Sequence, residues 1–191
     1  MPKDFPPFAT VQYYFYRLRD SGVLDLINED LVEIARRLAG REPQPTAAII
    51  YSQSVKTTES GGPRGFDAGK KIEGRKRHIV TDTQGNLLSA IVHLTIAHLF
   101  ADGGYAGEKL ENALRKIDGP TIEIIKRPDD AKGFVIIARR WVVERTLAWL
   151  NRCRRLAKDW EASVTSAEAW LLIASTRQLV RRTARSTNLK S

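Results

Sequence analysis

The sequence predicts an α/β fold in which helices flank a mixed β-sheet. An apolar run of β-forming residues at 46–52 is followed by two further strand-like runs, 75–82 and 86–93, which a short turn joins into a hairpin. Helical periodicity dominates the second half of the chain, from residue 107 onwards. A hairpin followed by alternating helices and a further strand favours a mixed sheet over an all-α or all-β fold.

Two helices are predicted before the first strand. Residues 11–18 and 24–38 carry apolar side chains at spacings of three and four, and the pair Ser21-Gly22 separates the two patterns. We therefore expect residues 1–40 to form a small helical region that leads into the sheet.

The predicted core covers residues 46–182. Residues 54–74 are rich in Gly, Ser, Thr and Lys and lack periodicity, so we expect an exposed loop there. The basic residues 183–191 are expected to form a frayed tail. The remaining predicted elements are a helix at 107–117, a strand at 121–127 and helices at 137–160 and 166–182.

The composition favours a folded protein with an anionic partner. Apolar residues make up 42% of the 191 residues, which is enough for a packed core and argues against disorder. Lys and Arg outnumber Asp and Glu by 31 to 22, and the formal net charge is +9. A surplus of this size is typical of nucleic-acid-binding proteins, although a merely soluble basic protein would also show it.

Cysteine and histidine usage excludes several classes of site. Cys153 is the only cysteine, so an internal disulfide and a cysteine-based zinc site are both excluded. The three histidines are scattered, which makes a histidine metal cluster a weak hypothesis. The first residues lack the pattern of a signal peptide, and no run approaches 18 uninterrupted apolar residues. We therefore expect a cytoplasmic protein without a membrane span.

Two carboxylates are candidates for chemistry by their positions. Asp102 ends an apolar run and precedes two glycines, which would leave its side chain in a crevice at a strand end. Taken alone, an Asp-Gly turn is the simpler explanation. Glu144 lies on a mostly polar, basic stripe of the predicted helix, one turn after Arg140. Taken alone, a surface ion pair between Arg140 and Glu144 that contributes little to stability is again the simpler explanation.

Four segments together resemble the DDE-type transposases of bacterial insertion sequences. The segments are AAIIYSQSVK (47–56), GKKIEGRKRH (69–78), FADGGYAG (100–107) and RRWVVERTLAWLNR (139–152). The resemblance runs almost continuously from Lys3 to Arg182. It implies a ribonuclease-H-like catalytic core in which two aspartates and a glutamate bind divalent metal ions and support DNA transposition by phosphoryl transfer.

For individual residues the resemblance implies an incomplete catalytic site. Asp102 and Glu144 match the second and third acids, which would bind Mg²⁺ or Mn²⁺. The place of the first acid holds Tyr51, and a neutral phenol is a poor ligand for Mg²⁺. Asp67 or Glu59 could substitute from the loop, but neither is favoured. We therefore expect weak metal binding and a catalytically impaired transposase.

The resemblance also implies a crossover helix, between the third and fourth strands, that this chain lacks. Only about five residues, 94–98, separate the two strand-like runs. In a sheet of order 3-2-1-4-5 the connection must span roughly 22 Å, whereas five extended residues reach at most about 18 Å. We therefore expect residues 87–101 to form one continuous element or to lose a strand, leaving a sheet edge that favours self-association. The helical region 1–40 is likewise expected to be the end of a longer DNA-binding region.

Basic residues near the four segments are the expected DNA contacts. They are Lys56, Arg64, Lys70, Lys71, Arg75, Lys76, Arg77, Arg140, Arg145, Arg152 and Arg155. The expected partner is double-stranded DNA, as transposon ends and as target. Two alternatives stay open: a non-catalytic DNA-binding remnant that inhibits an intact transposase, and a basic RNA-binding or structural protein. Metal-dependent cleavage separates the first hypothesis from these two, and sequence-selective DNA binding separates the two from each other.

Overall fold

The computed structural model describes residues 3–58, 62–68, 70–88, 96–108, 112, 120–125 and 138–188. Its helices are α1 (Phe8–Asp20), α2 (Val23–Leu38), α3 (Ala138–Leu150) and α4 (Val164–Asn188). Its strands are β1 (Ala47–Lys56), β2 (Gly65–Asp67), β3 (Ile72–Asp82), β4 (Leu87–Leu88), β5 (His98–Ala101) and β6 (Thr121–Ile124). The predicted α/β class with a mixed sheet is confirmed, and the arrangement is compatible with a ribonuclease-H-like core.

Strand β1 lies at the centre of the sheet. It pairs antiparallel with β3 and parallel with β5, and β5 pairs parallel with β6. On the far side of β3, the short strands β2 and β4 each pair antiparallel with a different part of it. With β2 set aside, the order is β4-β3-β1-β5-β6, which is the order 3-2-1-4-5.

The expectation that residues 87–101 would form one continuous element or lose a strand is wrong. Leu87–Leu88 pairs with β3, whereas His98–Ala101 pairs with β1, so the run contributes two strands to the sheet. The expectation assumed that the third strand takes up all residues to 93, which left only about five for the connection. Strand β4 is described as far as Leu88, and β5 begins at His98. Residues 89–95 themselves lie outside the described part of the chain.

The two faces of the sheet carry separate hydrophobic cores, because successive strand residues point to opposite sides. Ile49 and Phe100 pack in the core that includes α3, whereas Ala48 and Leu99 pack in the core that includes α2. Helix α4 contributes to both cores. Helix α2 therefore shares a core with the sheet.

The two N-terminal helices form as predicted, with their break at Ser21-Gly22, where Gly22 adopts a φ of 71°. The predicted helix 137–160 instead ends at Leu150 and is followed by a short 3-10 turn. The reason is tertiary: the backbone N–H of Asp159 donates to the Lys56 carbonyl at 2.9 Å, and this contact draws the segment back to the end of β1.

Two other predicted segments differ from the structure. Strand β1 extends to Lys56 and residues 65–67 pair with β3, so part of the predicted loop 54–74 belongs to the sheet. Helix α4 continues through residues 183–188, beyond the predicted start of the tail. Most of the predicted helix 107–117 lies outside the described residues. Within the described part of the chain, no helix has the length and apolar character needed to cross a membrane.

Candidate functional site

Asp102 and Tyr51 lie at the same level of two adjacent strands. Strands β1 and β5 are parallel with Ile50 opposite Ala101, so the residues that follow this pair reach the same end of the sheet. Both side chains are partly buried, and Tyr51 packs against the core that includes α3. The structure thus brings the position of the expected first acid beside the expected second acid.

A cluster of polar side chains that the sequence analysis missed surrounds Asp102. The turn Gly103–Tyr105 brings the Tyr105 hydroxyl to 2.5 Å from the His78 Nδ1 atom, and the two rings meet edge to face. Ser52 lies opposite His78 across β1 and β3, and its side chain also hydrogen-bonds Tyr105. The only sequence signal is the polar character of Ser52 and His78 within strand-like runs, and that signal does not show which residues face each other.

Burial and, to a smaller extent, the nearby negative charge of Asp102 raise the pKa of the Tyr105 phenol, the Ser52 hydrogen bond opposes them, and the resulting pKa is about 12. The folded protein therefore favours the neutral phenol. The resulting stabilisation is complete below the ordinary tyrosine pKa of about 10 and is lost as the pH rises towards 12.

The raised pKa of Tyr105 can be tested with the variant Tyr105→Phe. The part of the phenolate absorbance that this variant lacks should titrate near pH 12, as measured by ultraviolet difference spectra. A difference centred near pH 10 would contradict this assignment.

Glu144 is exposed on α3, and its neighbours anchor that helix to the turn between β3 and β4. The Thr146 hydroxyl donates to the Gly85 carbonyl at 2.8 Å, and Arg145 Nη2 donates to the Gln84 carbonyl at 2.9 Å. Gly85 has a φ of 84°, and a Cβ there would lie 2.6 Å from the Thr146 hydroxyl oxygen. The turn therefore needs glycine, and α3 packs directly on it.

This anchoring places Arg145 and Thr146, which adjoin Glu144, near the end of the sheet at which β1 starts. Asp82, which begins the turn, pairs with Ala48 of β1. Ala48 precedes Tyr51 by three residues, or about 10 Å along a strand. The part of α3 that carries Glu144 thus contacts the end of the sheet at which β1 starts, whereas Asp102 lies level with Tyr51.

The described residues do not fit a site for two divalent ions. Among them, no group of three or more His, Cys, Asp or Glu side chains is placed to hold a metal ion. Tyr51 offers a phenol where a carboxylate is needed, and hard divalent cations prefer several carboxylate or carbonyl oxygens. Asp67, the loop acid considered as a substitute, hydrogen-bonds Ser54 and the backbone N–H of Lys70, which lowers the pKa of its carboxyl. Glu59 lies outside the described residues.

Two of the expected DNA contacts are parts of the protein's own framework. Arg75 pairs with Asp159 at 3.1 Å with both side chains largely buried, and it also donates to the Pro63 carbonyl at 2.8 Å. Arg77 is partly buried and donates to the Leu156 carbonyl at 3.3 Å, and burial lowers the pKa of its guanidinium. Both arginines connect β3 to the segment after α3, so they are not free to hold a phosphate.

The other expected DNA contacts differ in their pairing and exposure. Arg64 and Arg155 are partly neutralised by ion pairs with Glu73 at 3.0 Å and with Glu161 at 2.5 Å. The backbone of Arg140 lies in α3, and its side chain is outside the described residues. Exposed cations are Lys56, Lys70, Lys71, Lys76 and Arg152. Arg145 and Arg152 line a cleft of about 550 Å³ between α3 and α4, which we call the arginine cleft.

The sequence analysis missed most of the arginine cleft. Its α4 wall carries Arg177, Arg181, Arg182 and Arg185, and its α3 wall also includes Trp149 and the adjoining Cys153. The available signal is the repeat of arginine at intervals of four along a predicted helix, which places the side chains on one face. That repeat gives no indication of a facing helix with arginines of its own.

Comparison with known proteins points to one family. A family model described as a transposase DDE domain matches residues 42–97 and 87–179. The putative transposase for insertion sequence element IS402 of Burkholderia cepacia is 33% identical over 125 residues, which cover 50% of this chain and 56% of that relative. The chain therefore spans little more than half the length of the relative. No solved structure matches the chain.

Proposed function

The chain belongs to the family of transposase DDE domains, and from that premise we propose that it acts in DNA transposition as an insertion-sequence transposase with impaired catalysis. In this proposal the protein binds the double-stranded DNA of transposon ends and cuts and joins it poorly or not at all. The family match includes β1, β5 and α3, which carry the positions of the three expected acids.

The observation that carries the impairment is Tyr51. The β1–β5 register sets this residue level with Asp102, where the family resemblance implies a carboxylate. The ring also packs against the core that includes α3, so the position is filled by apolar contacts as well as lacking an acid. We further propose that Glu144 lies at another level of the sheet than Asp102, because Arg145 and Thr146 beside it contact the turn opposite the start of β1. Such a separation would be a second obstacle, since a misplacement of only 1 Å can cost about 10²-fold in rate.

DNA binding is supported by the charge distribution. The net charge is +9, and the exposed lysines of β1, β3 and the intervening loop offer cations without framework roles. Contacts of this kind act mainly through phosphates, so affinity should fall steeply with salt. Arg75 and Arg77 are excluded from this proposed surface because the protein uses both internally.

The proposal predicts that Tyr51→Asp improves metal binding without restoring activity. A second carboxylate beside Asp102 should tighten Mn²⁺ binding in a calorimetric titration. Strand cleavage and strand transfer on end-containing duplexes should stay at background, because Glu144 remains at another level of the sheet. Tyr51→Phe is the matched control, since it keeps the ring and adds no charge.

Three results would separate the parts of this proposal. Cleavage by the unmodified chain that is abolished in Asp102→Asn would refute the impairment. Robust strand transfer by Tyr51→Asp alone would show that the levels of the two acids are no obstacle. Failure of the unmodified chain to bind duplex DNA at low salt, in an electrophoretic shift assay, would contradict the transposition role itself.

A further inference from the structure

The arginine cleft brings six arginines together, and neither the expected acids nor the expected loop contacts account for this. We propose that this cleft is a sequence-independent binding site for the phosphate backbone of duplex DNA, formed jointly by α3 and α4. The inference rests on the proposed function only in taking DNA as the ligand.

The charge of the cleft is not compensated by the protein. Its six arginines are Arg145, Arg152, Arg177, Arg181, Arg182 and Arg185, and its lining contains no Asp or Glu. Among the described residues, none of the six forms an ion pair. Crowding of like charges is unfavourable in the free protein, and an anionic ligand would relieve it.

Arg145 lies within this group of like charges. Burial lowers the pKa of its guanidinium, the nearby positive charge of Arg182 lowers it further, and the negative charge of Asp82 opposes both. Its Nε atom is buried without a hydrogen-bond partner, as is the Oε1 atom of Gln84 beside it. Buried polar atoms without partners are costly, whether they are donors such as Arg145 Nε or acceptors such as Gln84 Oε1. A phosphate oxygen would supply an acceptor and a counter-charge for Arg145.

The α4 wall is suited to an extended ligand rather than to a single small anion. Arg177, Arg181 and Arg185 are all exposed and follow one another at intervals of four residues. Each interval advances about 6 Å along a helix, so the row spans about 12 Å on one face. A polymer with phosphates at regular intervals can engage such a row at several points, and several contacts add to affinity.

The aromatic residue of the cleft favours backbone contact over base stacking. The guanidinium of Arg145 lies 4.8 Å from the centre of the Trp149 ring and 4.5 Å from that of Trp141. One face of each indole is therefore already covered by a cation. A single-stranded nucleic acid would need open aromatic faces for its bases, whereas a duplex keeps its bases stacked inside and presents a phosphate backbone that carries no sequence information. The cleft should therefore bind duplexes without regard to sequence.

The cleft also lies apart from Asp102 and Tyr51. Gln84 and Arg145 belong to its lining, and they sit at the turn that follows Asp82, opposite the start of β1. Asp102 lies level with Tyr51, further along β1. Removing charge from the α4 wall should therefore leave the polar cluster around Asp102 intact.

The test is the salt dependence of binding to a fluorescein-labelled duplex of arbitrary sequence, followed by fluorescence anisotropy. In the triple variant Arg177→Gln, Arg181→Gln, Arg185→Gln, the slope of log affinity against log salt should become shallower by about 0.9 per lost contact, or about 2.7 for three contacts. Glutamine keeps helix propensity, and Arg145 and Arg182, which contact the turn, stay unchanged. The control variant, Arg41→Gln, Arg154→Gln, Lys158→Gln, removes the same charge from exposed positions outside the cleft lining, the expected DNA contacts and the helical region 1–40. It should keep the original slope.

Cys153, the sole cysteine, lines the cleft. Its reactivity therefore gives a second readout, which shows whether the DNA binds at the cleft. Duplex DNA should slow alkylation of Cys153 by a maleimide in the unmodified chain and in the control variant, but not in the cleft variant. Equal protection by inorganic phosphate at the same phosphate concentration would overturn the proposal, because the cleft would then be a small-anion site. Stronger protection by single-stranded RNA would overturn the duplex preference.

The outcomes also separate this inference from the proposed function. If the unmodified chain binds duplex DNA and the cleft variant keeps both its slope and its protection of Cys153, the cleft assignment fails and the proposed function stands. If neither the variants nor the unmodified protein binds duplex DNA, both fail. Circular dichroism of the two triple variants checks that a change in slope does not come from unfolding.

Discussion

Replacement of Asp82 by asparagine is expected to destabilise the fold by about 3–5 kcal/mol, because it removes one partner of a buried ion pair. Asp82 is 0% exposed, and Arg36 Nη1 donates to its carboxylate at 2.6 Å. The same carboxylate accepts hydrogen bonds from the backbone N–H groups of Gln84 and Asn86, both at 2.9 Å. Asparagine can replace some of these bonds, but it leaves the buried Arg36 charge without a counter-ion.

The loss of stability in Asp82→Asn should extend beyond the Arg36–Asp82 ion pair, because three helices contact the turn between β3 and β4. The Asn28 side-chain amide of α2 donates to the Leu87 carbonyl at 2.8 Å, and Arg182 of α4 donates to the Asn86 side chain at 2.8 Å. Helix α3 contacts the turn through Thr146. We therefore expect the turn to loosen and the helices to lose their common anchor.

The measurement is urea denaturation followed by circular dichroism. Asp20→Asn is the matched control, because Asp20 also pairs with an arginine, Arg19 at 2.6 Å, but in solvent. Its loss should change stability far less, since exposed ion pairs contribute little. Equal effects of the two substitutions would show that burial of Asp82 is not what matters.

Truncation of Leu150 to alanine is expected to cost about 2–5 kcal/mol, which is the usual range for removing a fully buried leucine. Leu150 is the last residue of α3 and is 2% exposed. It packs with Val143 and Leu147 of the same helix against the sheet. The cavity would lie where α3 ends, beside Cys153 and the floor of the arginine cleft.

Leu26→Ala provides the control, because Leu26 of α2 is 61% exposed and loses little contact on truncation. Surface substitutions of this type usually change stability by less than about 0.5 kcal/mol. Thermal and urea unfolding of both variants give the comparison. A Leu150→Ala protein as stable as Leu26→Ala would mean that α3 does not pack on the sheet as described.

The elements that could be predicted are those with strong local signals. The apolar run of β1 and the break at Ser21-Gly22 appear in the structure as predicted. The place of Asp102 is also predictable, because an acid that follows an apolar strand and precedes glycines lies at a strand end. The family resemblance alone is enough to identify Tyr51 as the deviation at the first-acid position.

Differences from the prediction arise where distant contacts override local pattern. The helix expected to reach residue 160 stops at Leu150, because Asp159 binds Lys56 and Arg75 on the other side of the fold. The objection to the crossover assumed that the third strand extends to residue 93, a length that periodicity alone suggests, whereas the pairing of β4 with β3 and of β5 with β1 shows that both strands join the sheet. Hydrophobic periodicity does not show which distant residue a side chain will contact. It also does not show where a strand ends when the end depends on pairing with a neighbouring strand.

The sequence by itself determined the fold class, the family resemblance and the excess of positive charge, because periodicity, motif spacing and composition are local or additive properties. Only the tertiary structure decided which positively charged side chains are free to bind an anionic ligand. Arg75 forms a buried ion pair with Asp159, which lies 84 positions further along the chain. The arginines of α4 face Arg145 of α3 across one cleft. The physical reason is that pairing, burial and charge crowding depend on distances between chain segments, which strand register and helix packing set.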